Sequence, residues 1–172
     1  TGLGRFFKNE PNLIEVLIKK IILLNYRLFL NHRDTIICLN SSDYEYFSSE
    51  FKKCKFNLEV VNGEGYQRKN MKPYQSVTGV TKLLYAGRLM EQKGIIELLS
   101  VFEKHTMEGY ELNVAGIIDP SLISDPLVKK LTDGTIYNVN YLGVVKEIED
   151  VISECDVILL PTKYQEGLPR IL

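Results

Sequence analysis

Two short segments of this sequence hold residue types that could do chemistry. The first is Gly87-Arg88-Leu89-Met90-Glu91-Gln92-Lys93-Gly94-Ile95. Arg88 offers a planar fork of N–H donors that can grip two phosphate oxygens, and Lys93 adds a second, point-like positive charge. Two cations on one loop suit a diphosphate. Gly87 lets a ligand approach the backbone, and a helix opening at Gly94 would aim its amides and positive dipole end the same way. The second segment is Pro161-Thr162-Lys163-Tyr164-Gln165-Glu166-Gly167-Leu168-Pro169-Arg170. Pro169 fits the first turn of a helix, where its missing N–H is no loss. That leaves the amides of Gly167 and Leu168 for a ligand oxygen, and Glu166 can accept hydrogen bonds from sugar hydroxyls. Each segment alone also has a plain reading, as two solvated basic residues in a turn and as a glutamate that caps a helix.

The surrounding elements decide whether the two segments can meet. Strands are predicted at Thr81–Ala86, Glu111–Ala115, Thr135–Tyr141 and Asp156–Leu160. Helices are predicted at Gly94–His105, Ser121–Thr132 and Lys146–Ser153, with another starting near Gly167. That alternation defines an α/β domain with a doubly wound parallel sheet. Such sheets bind ligands beyond the carboxyl ends of their strands, where strand order reverses. In a 3-2-1-4 arrangement the first and fourth strands flank that crevice, so the two segments should lie side by side.

An earlier block carries similar signals. Asn12–Asn31 is predicted as a helix, with Leu13, Leu17, Ile21, Leu24 and Leu28 in a stripe at helical spacing. Ile14, Ile18, Ile22 and Phe29 widen the stripe, which implies a largely buried helix on a sheet; Lys19, Lys20 and Arg27 leave an amphipathic membrane helix as the alternative. A strand at Thr35–Leu39, a helix at Tyr44–Phe51 capped by Ser41, Ser42 or Asp43, and a strand at Phe56–Val61 follow. The polar run Tyr66–Thr78 contains Pro73 and no periodicity, and reads as a linker. The expected organisation is therefore a first Rossmann-like part over 1–65, a linker over 66–80 and a second Rossmann-like domain over 81–172.

Composition narrows the function classes. The chain has 172 residues, 45% hydrophobic and 25% charged, an ordinary globular profile. No run is apolar enough to span a bilayer; the most apolar, Val16 to Leu30, is broken by Lys19, Lys20, Asn25 and Arg27. The formal net charge of −1 divides into +4 over residues 1–80 and −5 over 81–172. Chance variation accounts for that, and a front facing an anionic membrane surface is the sharper alternative. Cys38, Cys54 and Cys155 include no Cys-x-x-Cys pair, which fits a reducing cytoplasm and argues against a disulfide scaffold or zinc. His32 and His105 are the only histidines. Gly2-Leu3-Gly4 and Gly63-Glu64-Gly65 lack the third glycine of a dinucleotide fingerprint. No phosphate-loop signature and no Asp-x-Asp metal motif is present, so neither a metal nor a cofactor is expected. Without a starting Met or a signal pattern, the chain is expected to be a piece of something longer, with both sheets incomplete.

Taken together, several of these segments resemble glycosyltransferase family 4. The resemblance rests on Gly87-Arg88-Leu89 with Lys93-Gly94-Ile95, Tyr141-Leu142-Gly143, Leu160-Pro161, and Glu166-Gly167-Leu168-Pro169-Arg170, in that order and spacing. Thr1-Gly2-Leu3-Gly4 and Asn62-Gly63-Glu64-Gly65 look like segments of members that add galactose or N-acetylhexosamine to lipid-linked oligosaccharides. The resemblance implies a two-domain GT-B fold and a retaining transfer of a hexose or N-acetylhexosamine. The donor would be a nucleotide-diphosphate sugar, expected to be a UDP-sugar, and the acceptor a saccharide or lipid-linked saccharide. It implies that Arg88 and Lys93 bind the donor diphosphate and that Glu166 contacts the donor sugar. Gly167 and Leu168 would offer amides, with Gly87 close to the donor, and Gly116 and Val144 would lie where the family holds ribose and base. The family's second glutamate would fall two positions beyond Leu172. Expected partners are the nucleotide sugar and the acceptor, with peripheral membrane contact at the cytoplasmic face and no nucleic acid. Two rival readings are a nucleotide-sugar 2-epimerase of the same fold and a non-catalytic nucleotide-binding module. Made alone, the 172-residue chain would lack a full sheet for the apolar faces that include Ile14, Leu17, Ile18 and Ile21, and is expected to be poorly soluble or loosely packed and inactive in transfer.

Overall fold

In a computed structural model, residues 13–52, 56–61, 79–163, 169 and 171 are described. The chain falls into two compact units, one of residues 1–67 with 165–172 and the other of residues 68–164. The expected linker 66–80 lies almost wholly outside the described residues.

The first unit carries α1 (Leu13–Phe29), β1 (Thr35–Cys38), α2 (Ser41–Glu50) and β2 (Asn57–Val60). β1 and β2 pair in parallel, Thr35 opposite Asn57 and Cys38 opposite Val60. Its core is small: Leu23, Cys38, Phe47 and Phe51, with Tyr26, Tyr46 and Phe56 packed around them. The rings do most of the filling. Phe47 stacks on Phe51 at 5.7 Å, and Phe56 meets Phe51 edge-on at 5.1 Å. The helical stripe of α1 is present but mostly bare rather than largely buried, which agrees with the expectation that its face lacks a full sheet: Leu13, Ile14, Leu17, Ile21, Leu24 and Leu28 are all exposed, and Leu23 is its buried residue. The two strands among the described residues offer too narrow a surface to cover a five-turn helix, so the ring cluster takes only one edge of it. The cap of α2 is Asn40 rather than the serines or Asp43: its side-chain oxygen accepts from the Asp43 amide at 2.8 Å.

The second unit is a four-stranded parallel sheet. It consists of β3 (Thr81–Ala86), α3 (Ile95–Lys104), β4 (Tyr110–Ala115), α4 (Pro126–Thr132), β5 (Val139–Gly143), α5 (Ile148–Ser153) and β6 (Val157–Ile158). The spatial order β5-β4-β3-β6 is the expected 3-2-1-4. Leu83, Leu84 and Tyr85 are buried in succession, as a strand covered on both faces requires. Leu89, Ile95, Leu99, Leu112, Val114, Val128 and Leu131 complete the fully buried part of the core.

Three expected boundaries move, each for a local reason. The helix expected at Ser121–Thr132 is a short turn, Pro120–Leu122, followed by a fresh start at Pro126. A residue before proline is driven to extended backbone, and Asp125 adopts φ −65°, ψ 132° and caps the amides of Leu127 and Val128. The strand expected at Thr135–Tyr141 begins at Val139 and runs on to Gly143. Asn138 turns the chain with φ 57° while Ile136 is buried in the core beneath, so the apolar run straddles a turn. β6 is two residues long, although the Asp156 amide on Lys82 O and the Leu159 amide on Leu84 O carry the pairing past both ends.

Candidate functional site

The carboxyl ends of the strands are drawn together by backbone contacts. The Gly87 amide donates to Ala115 O at 2.9 Å and the Gly116 amide to Gly143 O at 2.7 Å. Gly116 has φ +143°, and a Cβ on it would sit 1.8 Å from the carbonyl oxygen of Gly87. No other residue fits there without moving the backbone. Tyr141 braces the same point, its hydroxyl donating to Gly116 O at 2.9 Å; burial pushes that phenol above its ordinary pKa. Gly87 and Gly116 therefore lie side by side at the end of β3 and β4. Val144, just past β5, is 72% exposed.

The described start of the second segment, Pro161–Lys163, meets the first segment. The Lys163 amide donates to Gln92 O at 2.9 Å, which ties the segment after β6 to the turn Glu91–Lys93 after β3. Gly94, at φ +72°, packs so tightly on Pro161 that a Cβ would lie 2.0 Å from its carbonyl oxygen. The Lys163 ammonium also pairs with the Glu97 carboxylate in the first turn of α3, which holds that carboxyl below its usual range. Glu166, Gly167, Leu168 and the helix expected near Gly167 lie outside the described residues.

Lys93 ends the turn before Gly94 and folds back over Gly87: a Cβ there would meet Lys93 Nζ at 3.7 Å. Its ammonium thus lies beside the backbone of Gly87. The Lys93 and Gly94 amides are used inside the turn, on Met90 O and Glu91 O. The amides expected from the helix opening at Gly94 are therefore those of the first turn of α3. Arg88 is held at its backbone by the Tyr85 hydroxyl, which donates to Arg88 O at 3.0 Å. Its guanidinium forms an ion pair, Nη2 to Asp119 Oδ2 at 3.0 Å.

Asp119 is the residue that sequence reasoning missed. It follows β4 and caps the Pro120–Leu122 turn, its Oδ1 accepting from the Ser121 amide at 3.0 Å and the Ser121 hydroxyl at 2.7 Å. Those bonds, followed by the charge of Arg88, hold its carboxyl below the usual carboxylate range. Asp-Pro-Ser was a legible cap signal, but nothing in it pointed across to Arg88. Among the described residues no group of three His, Cys, Asp or Glu side chains could hold a metal ion, and no helix is long and apolar enough to cross a membrane.

A parallel doubly wound sheet with cationic and glycine-rich loops at its carboxyl edge has the fold seen in GT-B glycosyltransferases. Solved structures share the fold. The lipopolysaccharide outer core galactosyltransferase WaaB aligns with 80% of this chain and 39% of its own, at 19% identity and a TM-score of 0.58. WaaG, a glycosyltransferase involved in lipopolysaccharide biosynthesis, aligns over 92% and 47%, at 17% and 0.62. HepE of Anabaena, in complex with UDP and glucose, aligns over 88% and 43%, at 13% and 0.64. The chain spans less than half the length of each. No curated protein sequence matches it. Residues 80–172, more than half of the chain, match the family of glycosyl transferases group 1, and the chain belongs to that family.

Proposed function

We propose that the protein transfers a hexose or N-acetylhexosamine from a UDP-sugar to a saccharide or lipid-linked acceptor, with retention of configuration, as a member of glycosyltransferase family 4. The observation that carries this is the meeting of two loops at one sheet edge. Gly94 packs on Pro161 and Lys163 bonds to Gln92, beside the cations Arg88 and Lys93. The chemical problem is the departure of a diphosphate with growing negative charge. Fixed cations and the amino end of α3 stabilise such charge without reorganising, in place of a metal. Arg88 has five N–H donors, so its pairing with Asp119 leaves others for phosphate oxygens. In this reading Glu166 contacts the sugar, and the Gly167 and Leu168 amides meet sugar or phosphate. Lys163, three residues before Glu166 and bonded through its amide to Gln92 O, supports that assignment. Gly116 and Val144 would lie toward the ribose and base. The buried thiols of Cys38 and Cys155 support a reducing, cytoplasmic setting, with the acceptor met at the inner membrane face.

The test is calorimetry of UDP binding to the intact protein in EDTA, with transfer assays beside it. UDP should bind without divalent metal, and Arg88→Ala or Lys93→Ala should each reduce turnover by about 10²–10³, as removal of a charge-stabilising donor does elsewhere. Arg88→Lys should also be impaired, since a point charge cannot replace the fork. Binding that required Mg²⁺ or Mn²⁺ would remove the metal-free mechanism. Wild-type turnover in Arg88→Ala would remove the donor site.

A further inference from the structure

We infer that Asp119 is a positioning residue for the donor diphosphate: it fixes the guanidinium of Arg88 so that the remaining N–H groups are set before the ligand arrives. The inference rests on the proposed donor site. An ordinary surface ion pair would carry no such weight, because two long mobile side chains lose as much entropy as they gain in attraction. This pair is different on one side only. The Arg88 side chain is 55% exposed, whereas that of Asp119 is 18% exposed and bonded in three directions. Its amide donates to Leu89 O at 2.9 Å, in the loop that carries Arg88. Its Oδ1 is fully engaged by Ser121. Oδ2 therefore points at Arg88 from a fixed place, and only the arginine has freedom to lose. Leu89 and Ile118 form a parallel bridge between the two loops, so any shift of one carries the other.

The arrangement also has an electrostatic consequence that separates two roles. Asp119 cancels the charge of Arg88 locally. If it acted only by that charge, its removal would strengthen attraction for a diphosphate. If it acts by holding the fork, its removal weakens binding despite the added positive field. The two roles have opposite signs.

The experiment is a double-mutant cycle in the intact protein, with Asp119→Asn, Arg88→Ala and the combination. UDP affinity is measured by calorimetry, and KM and kcat for the UDP-sugar by transfer. Asparagine keeps an oxygen for the Ser121 amide, and Ser121→Ala, which frees Oδ1 of one bond, serves as a second variant. Asp119→Asn should weaken UDP and raise KM by about tenfold, the scale of coupling between contacting charged groups. It should add nothing in the Arg88→Ala background. Ser121→Ala should move both quantities in the same direction by less. A purely structural lesion would lower kcat through loss of active protein and leave KM unchanged, and that result overturns the inference. So does tighter UDP binding in Asp119→Asn, or an equal loss with and without Arg88. If Arg88→Ala itself binds UDP like wild type, the donor-site reading fails instead.

Discussion

The two units bury their apolar residues in opposite styles. The four-stranded unit hides aliphatic side chains between the sheet and its helices, with Leu84, Leu89, Ile95, Leu99 and Leu112 at 0% exposure. The two-stranded unit relies on a handful of aromatic rings, while α1 leaves Leu13, Ile14, Leu17, Ile21, Leu24 and Leu28 uncovered. Sheet width makes the difference. Four parallel strands offer each helix a broad apolar floor, and two do not. The same hydrophobic stripe in a sequence can thus mean a core or a bare face, depending on strands elsewhere.

The largest test of that contrast is a pair of truncations. Leu112→Ala should cost about 2–5 kcal/mol, because it empties a site with no exposure. Leu17→Ala, at 59% exposure, should stay within about 0.5 kcal/mol. Denaturant unfolding of both variants checks this, and equal losses would mean that the face of α1 is covered after all.

Helix caps sharpen the comparison at smaller scale. Asp125→Ala removes two hydrogen bonds at the start of α4, and Asn40→Ala removes the cap of α2. Each should cost about 1 kcal/mol. Differential scanning calorimetry should show Asn40→Ala lowering only the transition of the first unit and Asp125→Ala only that of the second. If both variants shift one common transition, the units unfold together.

The smallest effect is chemical. Cys38 and Cys155 are buried, one in each unit, and burial raises both thiols above their ordinary range; Asp43 pushes Cys38 further the same way, while Asn113 and Lys82 oppose the rise at Cys155. A raised value means that the folded state favours the protonated thiol. The associated stability is complete below the unfolded-state value and is lost as pH rises through the folded one. Alkylation of both should therefore be slow at neutral pH and accelerate in alkali, with Cys38 labelled first if the thin core opens first. Mass spectrometry of time-resolved labelling reads the order, and faster labelling of Cys155 would reverse the ranking of the two cores.

Much of the second unit was legible because its signals are local. Thr81–Ala86 is a run of strand formers between a glycine on each side, and it appears at the expected residues. The order of the strands followed from the alternation of elements, and the meeting of the two loops followed from the order. What could not be read depended on geometry between distant residues. The expected single helix Ser121–Thr132 hid a proline-driven restart, and Ile136 contributed its apolar signal to a strand it does not enter. Helical spacing in α1 reports amphipathicity and not the width of the facing sheet; the bare face of Ile14, Leu17 and Ile21 followed instead from the expectation that this part lacks a full sheet. Asp119 escaped notice because its partner is thirty-one positions away, and the pairing of the two loops at Leu89 and Ile118 brings them together.

One consequence belongs to the edge of the sheet opposite the loops. The turn at 105–109 enters β4 from the far end, almost all of it is exposed, and nothing lies within 4 Å of a Cβ built on Gly109. A sheet whose ligand loops all leave from one rim has its other rim free for alteration. A short peptide tag or a fluorophore spliced into this turn would sit a full strand length from Gly87 and Gly116. It would report on the second unit without entering its loop edge, a place where the chain can be interrupted and instrumented.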